Sequence, residues 1–216
     1  SGDFKIVKYN NSRNVEIQFV TTGFETSAQL EHIKNGNVKD PYVASVHGVG
    51  IAGAKYPITI NGVQTKEYML WYSMLGRCYS KSFKKKQPTY EGCEVSDNFK
   101  SFGYFYEWCQ NQIGFGNEGW HLDKDLLVKG NKVYDENTCI FIPSEINLVL
   151  VKREALRGEH LIGVYWNKKA SAFIARVKKN KGKSEYLGIF RTEIEAFNAY
   201  KKAKEAFIKE QANKWK

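Results

Sequence analysis

His121, Asp123, Lys124 and Asp125 stand within five residues of one another, and Asn131 and Asn137 follow closely. An imidazole takes up a proton near neutral pH, and carboxylate and amide oxygens are ligands for hard divalent cations. A lysine is a poor general base unless burial lowers its pKa. On a strand, side-chain alternation puts His121, Asp123 and Asp125 on one face and Lys124 on the other. A second group lies in "GVYWNKKASAFIARVKKNKGKSEYLGIF", residues 163–190, where Lys and Arg are set between alternating aromatic and aliphatic side chains. Cations so placed either keep a sheet soluble or meet a polyanion. They can neutralise phosphates and release counterions, and a guanidinium can fork onto a guanine edge.

The distribution of charge favours the polyanion. The chain has 216 residues and a formal net charge of +10. Residues 1–56 carry 6 Lys/Arg and 5 Asp/Glu, and residues 57–150 carry 10 and 11. Residues 151–216 carry 17 and 7, so the whole excess lies there. A local excess on a folded element is the electrostatic footprint of a polyanion binder. Hydrophobic residues make up 42% of the chain, enough to bury real cores. No apolar run approaches the roughly 20 residues that span a bilayer, no charged-then-apolar signal segment opens the chain, and no membrane partner is expected. Cys78, Cys93, Cys109 and Cys139 form no C-x-x-C pair, so they read as reduced structural thiols in a cytoplasmic protein. A zinc site from Cys78, Cys93, Cys139 and His121 has no local spacing to support it.

The elements that must position these groups fall into three modules of an α+β chain. Residues 1–56 read as a small β barrel or sheet: "FKIVKY" and "NVEIQFV" alternate around the turn "NNSRN", and "TSAQLEHIKNG" begins as a strand or a short helix. Here His32 and His47 stand alone, as structural or exposed histidines. Residues 57–156 begin with helices. Tyr68, Trp71, Tyr72 and Leu75 recur at helical spacing after Thr65 as N-cap, "KSFKKKQPTYEGC" reads as a basic loop, and one helix follows Ser96. Then come a strand over 121–127, a turn at "KGNK", a strand over 139–142 ended by Pro143, and a helix from Glu145 to about Leu156. Residues 157–216 give three antiparallel strands, over 162–166, 172–178 and 184–190, and one helix capped by Thr192.

The helix can cover one face of that last sheet. Alternation then turns Val164, Trp166, Phe173, Ala175, Val177, Leu187 and Ile189 inward. Tyr165, Ile174, Arg176, Lys178, Tyr186 and Gly188 turn outward, rimmed by Lys168, Lys169, Lys179, Lys181 and Lys183. The same stretch resembles the APETALA2-type DNA-binding domain in Gly163 and Val164, Phe173 to Val177, Tyr186, Leu187, Gly188 and Phe190, and Thr192, Glu195, Ala196, Ala199 and Tyr200. The likeness covers about 55 residues, with Ile194 where that family often has Glu. It implies a sheet that lies in the major groove of double-stranded DNA. The implied contacts are Tyr165, Lys168, Lys169, Arg176, Lys178, Lys179 and Tyr186. The plant domains usually use arginine and tryptophan there, where this chain has Lys and Tyr, so the plant site preference does not carry over with the resemblance.

The strand–turn–strand–helix of 120–156 resembles the HNH, or ββα-metal, nuclease fold, with "LDKDLLVKGNKVYDENTCIF" as the corresponding stretch. The whole chain resembles homing-endonuclease-type proteins of phages and mobile elements, which act in the cytoplasm of a bacterial host. The resemblance puts Lys124 at the position of the catalytic His. It implies His121 as the substitute base, Asp123, Asp125 and Asn137 as ligands, and one divalent cation such as Mg²⁺. Two readings stand. One is a metal-dependent DNA endonuclease positioned by the basic sheet. The other is a catalytically inactive DNA-binding or protein-binding regulator, such as a phage anti-defence or transcription factor, docking a partner protein through the N-terminal module.

Overall fold

A computed structural model describes residues 2–150, 158–179 and 184–215, with the backbone alone over 148–150. The fold is α+β, built from several small sheets and short helices. Internal contacts divide the chain into two units: Ser1–Phe115 with Lys124–Ile140, and Gly116–Asp123 with Phe141–Lys216. No described helix is long and apolar enough to cross a membrane.

The first unit opens with β1 (Phe4–Asn11), β2 (Asn14–Phe19) and β3 (Glu25–Ala28), an antiparallel sheet in the order β1-β2-β3. Alternation along β2 buries Val15, Ile17 and Phe19. Phe4, Phe24, Val38, and Leu30 and Ile33 of α1 (Leu30–Lys34) pack over them. The sheet is open, because β1 and β3 are both edges, and no barrel closes. The strand-or-helix segment becomes both: β3 ends at Ala28 and α1 begins at Leu30.

A hairpin of β4 (Thr59–Ile60) and β5 (Val63–Gln64) turns on Asn61 and Gly62, both at positive φ, the conformation Asn-Gly favours. It leads into α2 (Lys66–Tyr79), where the Thr65 hydroxyl accepts from the Tyr68 N–H at 3.3 Å. The basic segment expected as a loop is helical: α3 (Lys81–Lys86) starts on Ser80, whose hydroxyl accepts from Phe83 N–H. After β6 (Glu94–Val95), the single helix expected from Ser96 is two, α4 (Asp97–Lys100) and α5 (Phe102–Gln110). The break has a physical cause. The Ile51 N–H donates to Lys100 O and its carbonyl accepts from Phe102 N–H, so a separate segment takes the hydrogen bonds at Ser101. Across the apolar faces of α2, α4 and α5, Trp71, Met74 and Leu75 are buried with Phe99, Phe102 and Phe105. The Trp71 indole N–H donates to Phe99 O at 2.7 Å, so this buried donor is satisfied. β8 (Val133–Tyr134) pairs parallel with β6.

The second unit pairs β7 (Trp120–Asp123) with β9 (Ile140–Pro143), which runs into α6 (Ser144–Leu150). The expected strand over 121–127 thus stops at Asp123, and the part of the expected helix beyond Leu150 lies outside the described residues. Next comes an antiparallel sheet of β10 (Val164–Asn167), β11 (Ala172–Val177) and β12 (Glu185–Phe190), covered by α7 (Glu193–Lys214). Thr192 and Glu195 start α7 with a reciprocal capping box. Ala196, Phe197, Ala199 and Tyr200 pack on Val164, Phe173, Ala175, Leu187 and Phe190. Helix and sheet meet so closely that Gly163, at φ 79°, has room for no Cβ: it would lie 2.1 Å from the Tyr200 ring. At the far end of α7, Trp215 meets Trp120 edge-to-face at 5.4 Å.

Candidate nucleic-acid interface

The face of the β10–β12 sheet turned away from α7 is set by register. Tyr165 lies opposite Ile174, and Arg176 lies opposite Tyr186. Residues opposite one another share a face, so Tyr165, Ile174, Arg176 and Tyr186 form one surface. Tyr165, Arg176 and Tyr186 are exposed. The Arg176 Nε–H donates to the Tyr165 hydroxyl at 3.1 Å. The guanidinium lies 5.9 Å from both the Tyr165 and the Tyr186 ring centroids. Two rings thus hold one planar cation in an exposed position, the geometry of a cation–π clamp.

Two inward–outward expectations, for Gly188 and Ile189, fail, and a bulge is the reason. Ala175 pairs with Gly188, but the next residue, Arg176, pairs with Tyr186, so Leu187 is extra on β12. Beyond the bulge the faces exchange. Gly188 joins Ala175 on the helix side, Phe190 joins Phe173, and Ile189 turns outward, 50% exposed, beside Ile174. Ile189 is therefore a surface residue that simple alternation misses. Gly188 inside a strand is the signal that could have found it, since an isolated strand glycine marks a bulge.

The flanking cations differ in availability. Lys168, Lys169 and Lys178 are exposed. Lys168 and Lys169 lie in the β10–β11 turn, fixed by Asn167, whose side-chain oxygen accepts from the N–H of Lys169 and of Ala170. Lys179 is paired with Glu185 at 2.6 Å, so its charge is partly spoken for. Lys181 and Lys183 lie outside the described residues. The basic excess is not confined to this face: Lys201, Lys202, Lys204, Lys209 and Lys214 belong to α7, which covers the opposite side of the sheet.

The residues expected to do metal chemistry are distributed differently. In the second unit, His121 and Asp123 alternate with buried Leu122 on β7, so they share a face and are half-buried. In the first unit, Lys124, which the sequence resemblance puts at the HNH histidine position, is buried. Its Nζ donates to Asp125 Oδ1 and, at 2.5 Å, to Asn131 O, and sits 5.8 Å from the Tyr134 ring centroid. Asn131 ties the turn. Its amide donates to Lys124 O, Val133 O and Thr138 Oγ1, and its side-chain oxygen accepts from Val133 N–H. Asp125 and Asn137 are exposed, and the Asn137 N–H donates to Asp135 Oδ1. Lys124 and Asn131 thus brace a loop. Among the described residues, no three His, Cys, Asp or Glu side chains gather in a way that would hold a metal ion. The Mg²⁺ that the resemblance implies finds no such group there.

All four cysteines are buried. Burial, reinforced by neighbouring Cys93, pushes the Cys78 thiol up to about 12, and burial raises Cys109 as well. These are neutral thiols packed in a core, unlike the low-pKa thiols of reactive sites.

No protein-family model matches the chain, and no solved structure matches it. Part of the chain is similar to two curated proteins. It is 29% identical over 99 residues to a dermonecrotic toxin of Loxosceles spinulosa, and 33% identical over 100 residues to a dermonecrotic toxin of Loxosceles aff. spinulosa. Each match takes in 42% of this chain and 35% of the toxin. The chain therefore spans about a third of the length of these curated relatives.

Proposed function

We propose that this protein binds double-stranded DNA through the outer face of the β10–β12 sheet. One observation carries the reading: Arg176 is held exposed between Tyr165 and Tyr186, on a face flanked by exposed Lys168, Lys169 and Lys178. A three-stranded sheet can enter a major groove, where a fixed guanidinium meets base edges while flexible lysines reach phosphates. The resemblance to the APETALA2-type domain falls on the same residues. Ile189 adds an apolar contact to that face. A sheet kept basic only for solubility would gain nothing by clamping one arginine between two rings, an arrangement that restricts side-chain freedom.

The reading is of a binding protein of the phage or mobile-element type. It rests on binding alone, and Lys124, which the resemblance puts at the HNH histidine position, is engaged as a brace. The partial likeness to dermonecrotic toxins does not enter it, since it takes in about a third of each toxin.

Fluorescence anisotropy with a mixed-sequence duplex tests the proposal. Arg176→Ala weakens binding by about 1–3 kcal/mol, and Tyr165→Phe, which keeps the ring but frees the guanidinium from its hydroxyl partner, weakens it less. Equal affinity of all three proteins for duplex would remove the sheet from the account. Incubation of plasmid with Mg²⁺ or Mn²⁺ gives no nicking on this reading; nicking abolished by Asp123→Ala would restore the endonuclease.

A further inference from the structure

Three departures from local rules meet at His47 in the first unit. Its backbone is left-handed, φ 50°, which is uncommon for a residue other than glycine. Its Nε2 is buried without a hydrogen-bond partner among the described residues. And α2 carries a glycine in its interior, Gly76, where a Cβ would lie 3.1 Å from that same nitrogen. A helix-interior glycine and an unsatisfied buried polar atom each cost stability. Such costs collect where a site is built for something other than stability.

A pocket of about 330 Å³ opens at this point, within the range of small-ligand sites. His47 and the rings of Tyr72 and Phe83 give it flat walls, and the His47 and Tyr72 rings lie 4.5 Å apart. Ser73 and Ser80 add hydroxyls, and Lys86 lies at its edge. The Ser80 hydroxyl accepts from Phe83 N–H and is hydrogen-bonded to Ser82 Oγ at 3.0 Å, so one hydroxyl of the Ser80–Ser82 pair keeps a proton to donate. Lys81, Lys84, Lys85 and Lys86 all belong to α3; of these Lys86 lines the pocket, and Lys84 is 3.9 Å from Glu91. Aromatic walls suit a flat heterocycle, and an ammonium with hydroxyl donors suits a phosphate.

We infer that the pocket between α2 and α3 binds a nucleoside monophosphate, with the base between the Tyr72 and Phe83 rings and the phosphate at Lys86. The ligand is either a free nucleotide or the terminal nucleotide of a DNA strand; both present the same base and phosphate. The site does not depend on the sheet, and each can fail without the other.

Titration of the full chain by NMR with dAMP, with inorganic phosphate and with a 5′-phosphorylated single-stranded oligonucleotide tests this. The expected result is saturable shifts of the amides of residues 72–86 with dAMP, at least tenfold weaker binding of phosphate alone, and at least tenfold loss of dAMP affinity in Lys86→Ala and in His47→Asn. Asparagine tolerates the left-handed backbone, so His47→Asn removes the imidazole without unfolding the loop. Tighter binding of the oligonucleotide than of dAMP identifies a strand end as the ligand; equal or weaker binding identifies the free nucleotide. The inference is overturned if no amide in 72–86 shifts at millimolar dAMP, or if both variants bind it as the parent does.

Discussion

Lys124 and Asn131 show what single residues in this chain do and how far their types alone could mislead. By type and position they read as parts of a worn nuclease motif. Placed in the fold, the two side chains donate at least five hydrogen bonds, two of which, Lys124 Nζ to Asn131 O and Asn131 Nδ2 to Lys124 O, tie residue 124 to the following turn. Asn131→Ala leaves several of these groups without partners and should lower stability by about 2–3 kcal/mol, read as a lower urea midpoint with an unchanged m-value. Nothing in the sequence distinguishes a bracing lysine from a catalytic one, because the difference lies in which carbonyl the ammonium meets. The thiols were more legible, since lone cysteines outside any C-x-x-C pair tend to be buried. Folding raises Cys78 and Cys109, so the native state favours their neutral form. The unfolded chain loses those protons near pH 8.5. Their contribution to stability is therefore complete below that pH and falls as pH rises above it. Urea midpoints should drop between pH 8 and pH 9.5, and a Cys78→Ala, Cys109→Ala variant, less stable at pH 7, should show a smaller drop.

At the scale of elements, caps and alternation were the informative signals. Thr65, Ser96 and Thr192 each begin a helix, as their side chains allow. The three C-terminal strands also lie close to where the apolar alternation puts them. What the sequence concealed were events that depend on a second segment. The helix after Ser96 breaks because Ile51, half the unit away in sequence, takes the backbone groups of Lys100 and Phe102. The outer face of β12 changes because Leu187 is bulged, which turns Ile189 outward. Periodicity counts residues along one strand and is blind to both. Of the described glycines, Gly163, just before β10, leaves the least room for a Cβ, which would meet Tyr200 of α7. Gly163→Ala would put a Cβ against the Tyr200 ring in a backbone conformation that alanine adopts poorly. It should destabilise the second unit by more than about 2 kcal/mol, seen as early loss of amide protection in β10–β12 while the α2–α5 core of the first unit stays protected.

For the whole molecule, the location of charge along the chain was plain from composition, but its location in space was not. The C-terminal excess divides between the sheet face and α7, because the helix that covers the inner face is itself lysine-rich. Net charge therefore overstates the interface. About four exposed cations, Lys168, Lys169, Arg176 and Lys178, serve the sheet. At ~0.9 per neutralised phosphate, four contacts give a slope of log affinity against log salt of roughly −4. The most direct measurement is that slope for three proteins on one duplex: the parent, a sheet variant Arg176→Glu with Lys178→Glu, and a helix variant Lys201→Glu with Lys202→Glu. Both variants change net charge equally, so general attraction falls alike in each. Binding through the sheet predicts a slope near −4 for the parent and the helix variant, and for the sheet variant a loss of at least tenfold in affinity with a slope near −2. Equal loss in the two variants, or greater loss in the helix variant, would contradict it.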